Sequence, residues 1–170
     1  GNANQYLKTD GSGVLGWATL AADVIVDRAY AEYLTNADIA TAIPFDDTIP
    51  QVGEGTQILS VSITPKTTTN RIRLRFSGTG STAGNNMVIY AIFANGASNA
   101  IAAGASYNAT APVQTPCVLE TELVPGSTSA QTYTVRVGPD TGTLRMNGTS
   151  AARRFGGVAK CVLIAEEITA

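Results

Sequence analysis

Residues 71–76 read Arg-Ile-Arg-Leu-Arg-Phe, and this alternation decides the fold class. Successive side chains of a strand point to opposite faces, so Ile72, Leu74 and Phe76 share one face and Arg71, Arg73 and Arg75 the other. The first face is core. Working outward, period-two, β-branched runs broken by glycine, proline and asparagine recur from residue 56 onward. Residues 56–64, 71–77, 87–93, 99–106, 116–123, 132–137, 143–147 and 159–168 read as strands, about eight in all. Stretch 87–93 is apolar on both faces, which requires either cover on both sides or a neighbouring subunit against one of them. The expectation is an all-β fold, an antiparallel β-sandwich of jelly-roll type. An immunoglobulin-like sandwich is the alternative; the lack of a tryptophan in this part and the positions of the cysteines speak against it.

Composition changes near Pro44, which divides the chain into a fibre or neck segment, 1–43, and a sandwich head, 44–170. Residues 17–43 are rich in alanine, aspartate and tyrosine, and their apolar positions fit neither a helix nor a strand for more than a turn or two. They read as a connector. Asn36 is placed to cap a short helix over 37–43, with Asp38 in its first turn and Pro44 stopping it. Asp46 and Asp47 lie between Pro44 and Pro50, which hold the chain extended. Turn or inter-chain hydrogen bonds are the expected role of these aspartates, and calcium binding is the alternative.

The chain has 170 residues, 44% hydrophobic and 14% charged, with a formal net charge of −2. That suits one domain and a short arm. Basic residues are scattered apart from the pair Arg153-Arg154, so a nucleic-acid partner is not expected. No apolar run approaches the roughly 20 residues that span a bilayer, so membrane insertion is not expected either. The start at Gly1, without methionine, suggests a piece of a longer chain with shaft or anchor upstream.

Histidine is absent, which removes the commonest general base and the commonest zinc ligand. Asp46-Asp47, Glu54, Glu120 with Glu122, and Glu166-Glu167 remain as carboxylate candidates. A glycosidase needs two carboxyls roughly 5–9.5 Å apart across one sugar; Glu120 and Glu122, on one face of one strand, read instead as a solvated surface. The glycine-rich stretch 77–84 lacks the lysine and following helix of a phosphate cradle and reads as a flexible hairpin connection. Arg71, Arg73 and Arg75 form a solvated or subunit-pairing face, with an anionic polysaccharide as the alternative partner. Cys117 and Cys161 have no metal-ligand or redox spacing and read as buried thiols, able to bond only if their strands are neighbours. No catalytic residue, cofactor or metal ligand is expected.

Gly1, Ala3, Gln5, Leu7, Gly11, Gly13 and Trp17 follow the spacing G-x-A-x-Q-x-L-x-x-x-G-x-G-x-x-x-W, which resembles a short module in tail fibres and other appendages of tailed bacteriophages. Thr41, Ile43, Pro44, Asp46 to Gln51, Glu54 and Gly55 follow T-x-I-P-x-D-D-T-I-P-Q-x-x-E-G, which is similar to the lead-in to the C-terminal head of such fibres. The resemblance implies a homotrimer at the distal end of a virion tail fibre. Such a tip attaches the phage to its host by binding a surface receptor, either polysaccharide or outer-membrane protein. Trp17, a residue type suited to sugar stacking, is read as packing near the axis of an oligomeric neck.

If the neck feeds the first strand from below and the strands alternate, connections 65–70, 94–98, 124–131 and 148–158 lie at the far end. The last is the longest and holds Arg153, Arg154 and Phe155, a cationic and aromatic set suited to an acidic sugar or a protein loop. These three residues are the candidate receptor site. The alternative is that both arginines pair with acids inside the trimer, such as Asp46 and Asp47. A purely structural virion element and a polysaccharide-degrading tail enzyme are the other function classes.

Overall fold

The computed structural model describes residues 2, 5–19, 23–109, 113–149 and 152–170. Gly1 and Ala3 of the arm motif, part of the connector (20–22), residues 110–112, and Ser150 and Ala151 of connection 148–158 lie outside the described residues. The strands are β1 (Gln5–Thr9), β2 (Leu15–Thr19), β3 (Ile25–Tyr33), β4 (Ala37–Ile39), β5 (Thr56–Ile63), β6 (Arg71–Thr82) and β7 (Asn86–Ala94), then β8 (Ala100–Asn108), β9 (Thr115–Leu123), β10 (Gln131–Pro139), β11 (Leu144–Met146), β12 (Gly148–Thr149), β13 (Ala152–Arg153) and β14 (Cys161–Ile168). β1 and β2 form a separate hairpin, with Leu7 opposite Trp17.

One sheet runs β5-β10-β7-β8. The other holds β3, β14, β6, β11 and β4, with β9 also on β6. Gly80 faces Met146 of β11 and Thr115 of β9, while Ser77 faces Val162 of β14 and Val118 of β9. A strand residue has one neighbour on each side, so β11 and β14 lie end to end on the same side of β6. β4 continues β3 in the same way. The six strands therefore occupy four positions, (β3, β4)-(β14, β11)-β6-β9, against the four of the other sheet. This is the jelly-roll arrangement of two four-stranded sheets.

Three expectations are corrected here. Residues 25–33 and 37–39 are strands of the sandwich, so the head begins near Asp23 rather than Pro44. The helix over 37–43 does not form, because the backbone of Ala37–Ile39 pairs with β11. Residues 77–82 continue β6 instead of forming a flexible connection. Gly78 faces the core, where a Cβ would stand 2.5 Å from Phe76 Cζ and 2.9 Å from Cys161 Sγ. Glycine here makes room for packing.

Inward residues of both sheets build the core: Ile72, Leu74 and Phe76 of β6 and Leu163 of β14 meet Tyr90 and Ile92 of β7 and Tyr133 and Val135 of β10. Phe76 and Tyr90 pack with ring centroids 5.2 Å apart, tilted by 41°, a favourable aromatic geometry. The arginine face of β6 meets β9 in register, Arg73 opposite Glu122 and Arg75 opposite Glu120. Arg73 Nε lies 2.7 Å from Glu122, Arg75 Nε 3.5 Å from Glu120, and Arg71 Nη1 3.2 Å from Glu122. The arginines are thus neutralised within the chain, and the two glutamates form ion pairs on this face.

β7 is buried on both faces. Val88, Tyr90 and Ile92 face the core; Ile89, Ala91 and Phe93 face outward and are buried as well. Their cover is the chain's own segment 43–55, a compact loop whose ends meet. At its root Ile43 N–H donates to Pro139 O (3.0 Å) and Gly55 N–H to Ala42 O (2.9 Å). Its tip docks at the start of β8, where Ala100 N–H donates to Pro50 O and Val52 N–H to Ser98 O. Arg136, on the outer face of β10, donates from Nε to Glu54 O (2.7 Å) and from Nη2 to Gly55 O (2.8 Å). Of the two explanations for 87–93, cover on both sides is therefore the observed one.

Cys117 faces Gly78 across one edge of β6, and Cys161 lies one position beyond the Val162–Ser77 pair on the other edge. The two cysteines are two strand spacings apart, about 9.5 Å, beyond disulfide reach. Both are free and buried.

Arg136→Ala removes two charge-assisted bonds from strap 43–55 and is expected to lower stability by about 2–3 kcal/mol in urea unfolding. It should also raise binding of a hydrophobic dye as Ile89 and Phe93 open to solvent.

Burial pushes both thiols up to about 11 from an ordinary 9.0. Below pH 9 the thiols are protonated in both states and stability is unaffected by them. Between pH 9 and 11 the unfolded chain releases protons that the folded one retains, so stability falls as pH rises. Urea midpoints followed across that range should decline, and less steeply in Cys117→Ala/Cys161→Ala.

Candidate functional site

The chain enters the sandwich where Asp23 N–H donates to Thr169 O, and leaves it at the same end. With β3 preceding β5, the alternation of strands is shifted by one. Connections 64–70, 95–99 and 124–130 lie at this proximal end, while 83–85, 140–143, both ends of 40–55 and the facing ends of β8 and β9 lie at the far end; the middle of 40–55 runs back along the sheet to Ser98 and Ala100. The placement of 65–70, 94–98 and 124–131 at the far end is thus reversed. Glu167 confirms the first: its buried carboxylate accepts from the main-chain N–H of Lys66 and from Asn70 Nδ2, tying connection 64–70 to the C-terminal strand.

Connection 147–160 belongs to neither end. β11 and β14 run in the same direction in one column, so the segment between them leaves the sheet at its side and returns. Ser81 points outward from β6 and its hydroxyl donates to Gly148 O at 2.9 Å, which places the root of the excursion on the outer face. Asn147 anchors it. With φ of 54°, a conformation asparagine tolerates better than most residues, Asn147 donates from Nδ2 to Tyr33 O (2.9 Å) and Thr35 O (3.2 Å). Asn36 answers by donating to Met146 O at 2.9 Å. These bonds join the break between β3 and β4 to the break between β11 and β14.

Beyond the root, Gly148 pairs with Arg153 and Thr149 with Ala152. Arg154 is extended, and Phe155, Gly156 and Gly157 then turn the chain with φ of 50°, 61° and 92°. A left-handed phenylalanine is an outlier that costs of order 1–3 kcal/mol. Its ring is nonetheless 73% exposed, as is Val158 at 77%. The Arg153 guanidinium lies against the backbone of Gly157, where a Cβ would stand 2.6 Å from Nη1. Among the described residues, neither Arg153 nor Arg154 forms an ion pair. The three candidate residues are therefore together and outward, on the flank of the head rather than its tip.

The carboxylate candidates are dispersed. Asp46 accepts from Thr48 N–H (2.8 Å) and Thr48 hydroxyl (2.5 Å); the hydroxyl bond first, then the amide, holds its carboxyl below the usual range. Glu54 accepts from Gln51 N–H at 2.8 Å. Glu166, on the outer face of β14, is 8% exposed and lies 3.7 Å from Arg28, and Glu167 is fully buried.

A second surface was not singled out in the sequence. Strap residues 46–50 and Ala100–Ala103 of β8 border an open groove of about 350 Å³. A neighbouring hollow of about 210 Å³ lies between Phe45 and Gly104. Ile101, Tyr107, Phe45 and Ile49 are exposed along this side. The small, uncharged run 100–106 is the signal that could have marked it.

No protein-family model and no curated protein sequence matches the chain. Among solved structures, the chain is similar to Eiger TNF from S. frugiperda, at 9% identity and a TM-score of 0.50 over 88% of this chain and 96% of that one. It is also similar to the infectious bursal disease virus Gx strain structure, at 10% identity and 0.44, over 94% of this chain and 40% of that one. A further match is the enzymatically active domain of bacteriophage CBA120 tailspike protein 4, at 14% identity and 0.27, over 73% of this chain and 19% of that one. Identities this low speak to fold alone, and the fold likeness rests on the first.

Proposed function

We propose that the chain is a non-enzymatic virion protein, the head of a bacteriophage tail fibre that binds a receptor on the host surface through Arg153, Arg154 and Phe155. The observation that carries this reading is the exposed Phe155 in a left-handed turn, beside two arginines without acid partners. A solvated loop with no task would relax that backbone. Cation and aromatic side by side suit an acidic glycan or a protein loop, and the two fibre-like sequence patterns supply the biological setting.

The reading includes a homotrimer. No charged residue stands between Arg75 and Glu120, a stretch that includes all of β7 and β8. β8 is an edge strand with neither lysine nor proline, the residues that usually guard such edges, and Ile101 and Tyr107 are exposed on it. Depletion of charge is the compositional mark of an interface centre. Copies associated through this side would leave the flank excursions outside the contact, where several weak sites on one particle gain avidity. A purely structural fibre element is the second reading, favoured by the position of the excursion on the flank.

Arg153→Ala/Arg154→Ala, kept soluble and of unchanged particle mass, is expected to lower adsorption to host cells or to a glycan-array hit at least about tenfold. Unchanged adsorption would sink the receptor assignment and favour the structural reading. Tyr107→Glu is expected to convert the trimer to monomer in light scattering, because it buries an unpaired charge at the contact. A particle that is monomeric without the substitution, or trimeric with it, would overturn the interface.

A further inference from the structure

The sequence holds two Asn-Gly pairs, Asn95-Gly96 and Asn147-Gly148, and the fold gives them opposite surroundings. Glycine has no side chain to hinder its own amide nitrogen from attacking the preceding carboxamide, so this pair is prone to self-modification wherever geometry and water allow.

Asn95 and Gly96 are the central residues of the turn from β7 to β8. Ala97 N–H donates to Ala94 O at 2.7 Å, and Gly96 has φ of 76°, as the third position of a type II turn requires. Asn95 is exposed. Its Oδ1 accepts from Thr132 N–H at 3.3 Å, while Nδ2 has no protein partner among the described residues. A donor on the oxygen stabilises the negative charge that develops there when Cγ is attacked, and the leaving nitrogen is open to protonation from water.

Asn147 is the reverse case. It is 1% exposed, its Nδ2 is held by Tyr33 O and Thr35 O, and its Oδ1 accepts the Cys161 S–H at 3.6 Å. Gly148 is hemmed in by Asn36 and Ala152 O. The potential leaving group is tied down and water is excluded.

We propose that Asn95 is a site of spontaneous deamidation in the folded protein and that Asn147 is protected. The Gly96 nitrogen loses its proton and bonds to Asn95 Cγ; the Cγ–Nδ2 bond breaks and the nitrogen leaves as ammonia, giving a cyclic imide. Water adds to either imide carbonyl, the C–N bond there breaks, and the nitrogen regains a hydrogen. The products are aspartate or isoaspartate, and water is the only co-reactant. Aspartate places a negative charge in the uncharged stretch between Arg75 and Glu120. Isoaspartate lengthens the main chain of the turn that sets the register of β8. The proposal is independent of the receptor reading.

The test is incubation of the folded full chain in mildly alkaline buffer, followed by peptide mass mapping and labelling with isoaspartyl methyltransferase. The Asn95 peptide is expected to gain the mass of an amide-to-acid exchange and to take up label, and Asn147 to convert at least about tenfold more slowly because its reaction awaits local opening. In urea both should convert, and Asn95→Gln should abolish labelling of the folded chain. An intact Asn95 amide in folded protein, while the urea-unfolded chain converts, would overturn the proposal. Equal rates at both sites in the folded chain would do the same.

Discussion

The structure depends on β6 being paired along both edges while its two faces are committed to opposite environments. Ile72, Leu74 and Phe76 fill the core; Arg71, Arg73 and Arg75 stand opposite Glu120 and Glu122. A slip of one residue would send the three apolar side chains to water and the three arginines inward. Exposed ion pairs contribute little stability in themselves. Their contribution is selective: a one-residue slip of β9 would bring Glu120 and Glu122 against the positions of the inward apolar residues, and a two-residue slip that moves Glu120 onto Ser77 would leave Arg73 without an acid.

From that register follows the double burial of β7. The core face of β6 can pack only against the inner face of the second sheet, which leaves Ile89, Ala91 and Phe93 apolar and outward. Strap 43–55 resolves the conflict, with Arg136 satisfying the carbonyls of Glu54 and Gly55 that would otherwise face apolar surface. Gly138 lets the root of the strap approach, since a Cβ there would lie 2.5 Å from Thr41 O.

What the sequence made legible follows from the same physics. β6 and β10 could be read because alternating large apolar residues report one buried face, and β7 because its unbroken apolar run reports two. β3 could not: its inward residues include Ala29 and Ala31, too small to stand out, and its strand identity comes from pairing with β14. Missing it shifted the strand alternation by one and exchanged the two ends of the head. The tally of about eight survived only because β11 was counted in place of β3. Gly78 and Gly80 suggested a loop because glycine signals both turns and crowded strands, and only the partner side chains tell the two apart. Arg153, Arg154 and Phe155 were recognisable as a cationic and aromatic cluster, but their position on the flank was not, since nothing local says that β11 and β14 share a column.

That shared column also accounts for the rigidity the candidate site needs. Left-handed Phe155 stores strain that an unanchored loop would release by flipping into a commoner conformation. Release is opposed at the root, where Asn147 is buried and bonded to two carbonyls, Asn36 bonds in the other direction to Met146 O, and Ser81 holds Gly148 O. Each of these bonds crosses between segments far apart in the chain, so loosening one exposes polar groups in all. The interruptions in β3/β4 and β11/β14 thus serve as a socket. They end local pairing where the excursion must leave the sheet, and they supply the polar groups that fix its root at Asn147 and Gly148.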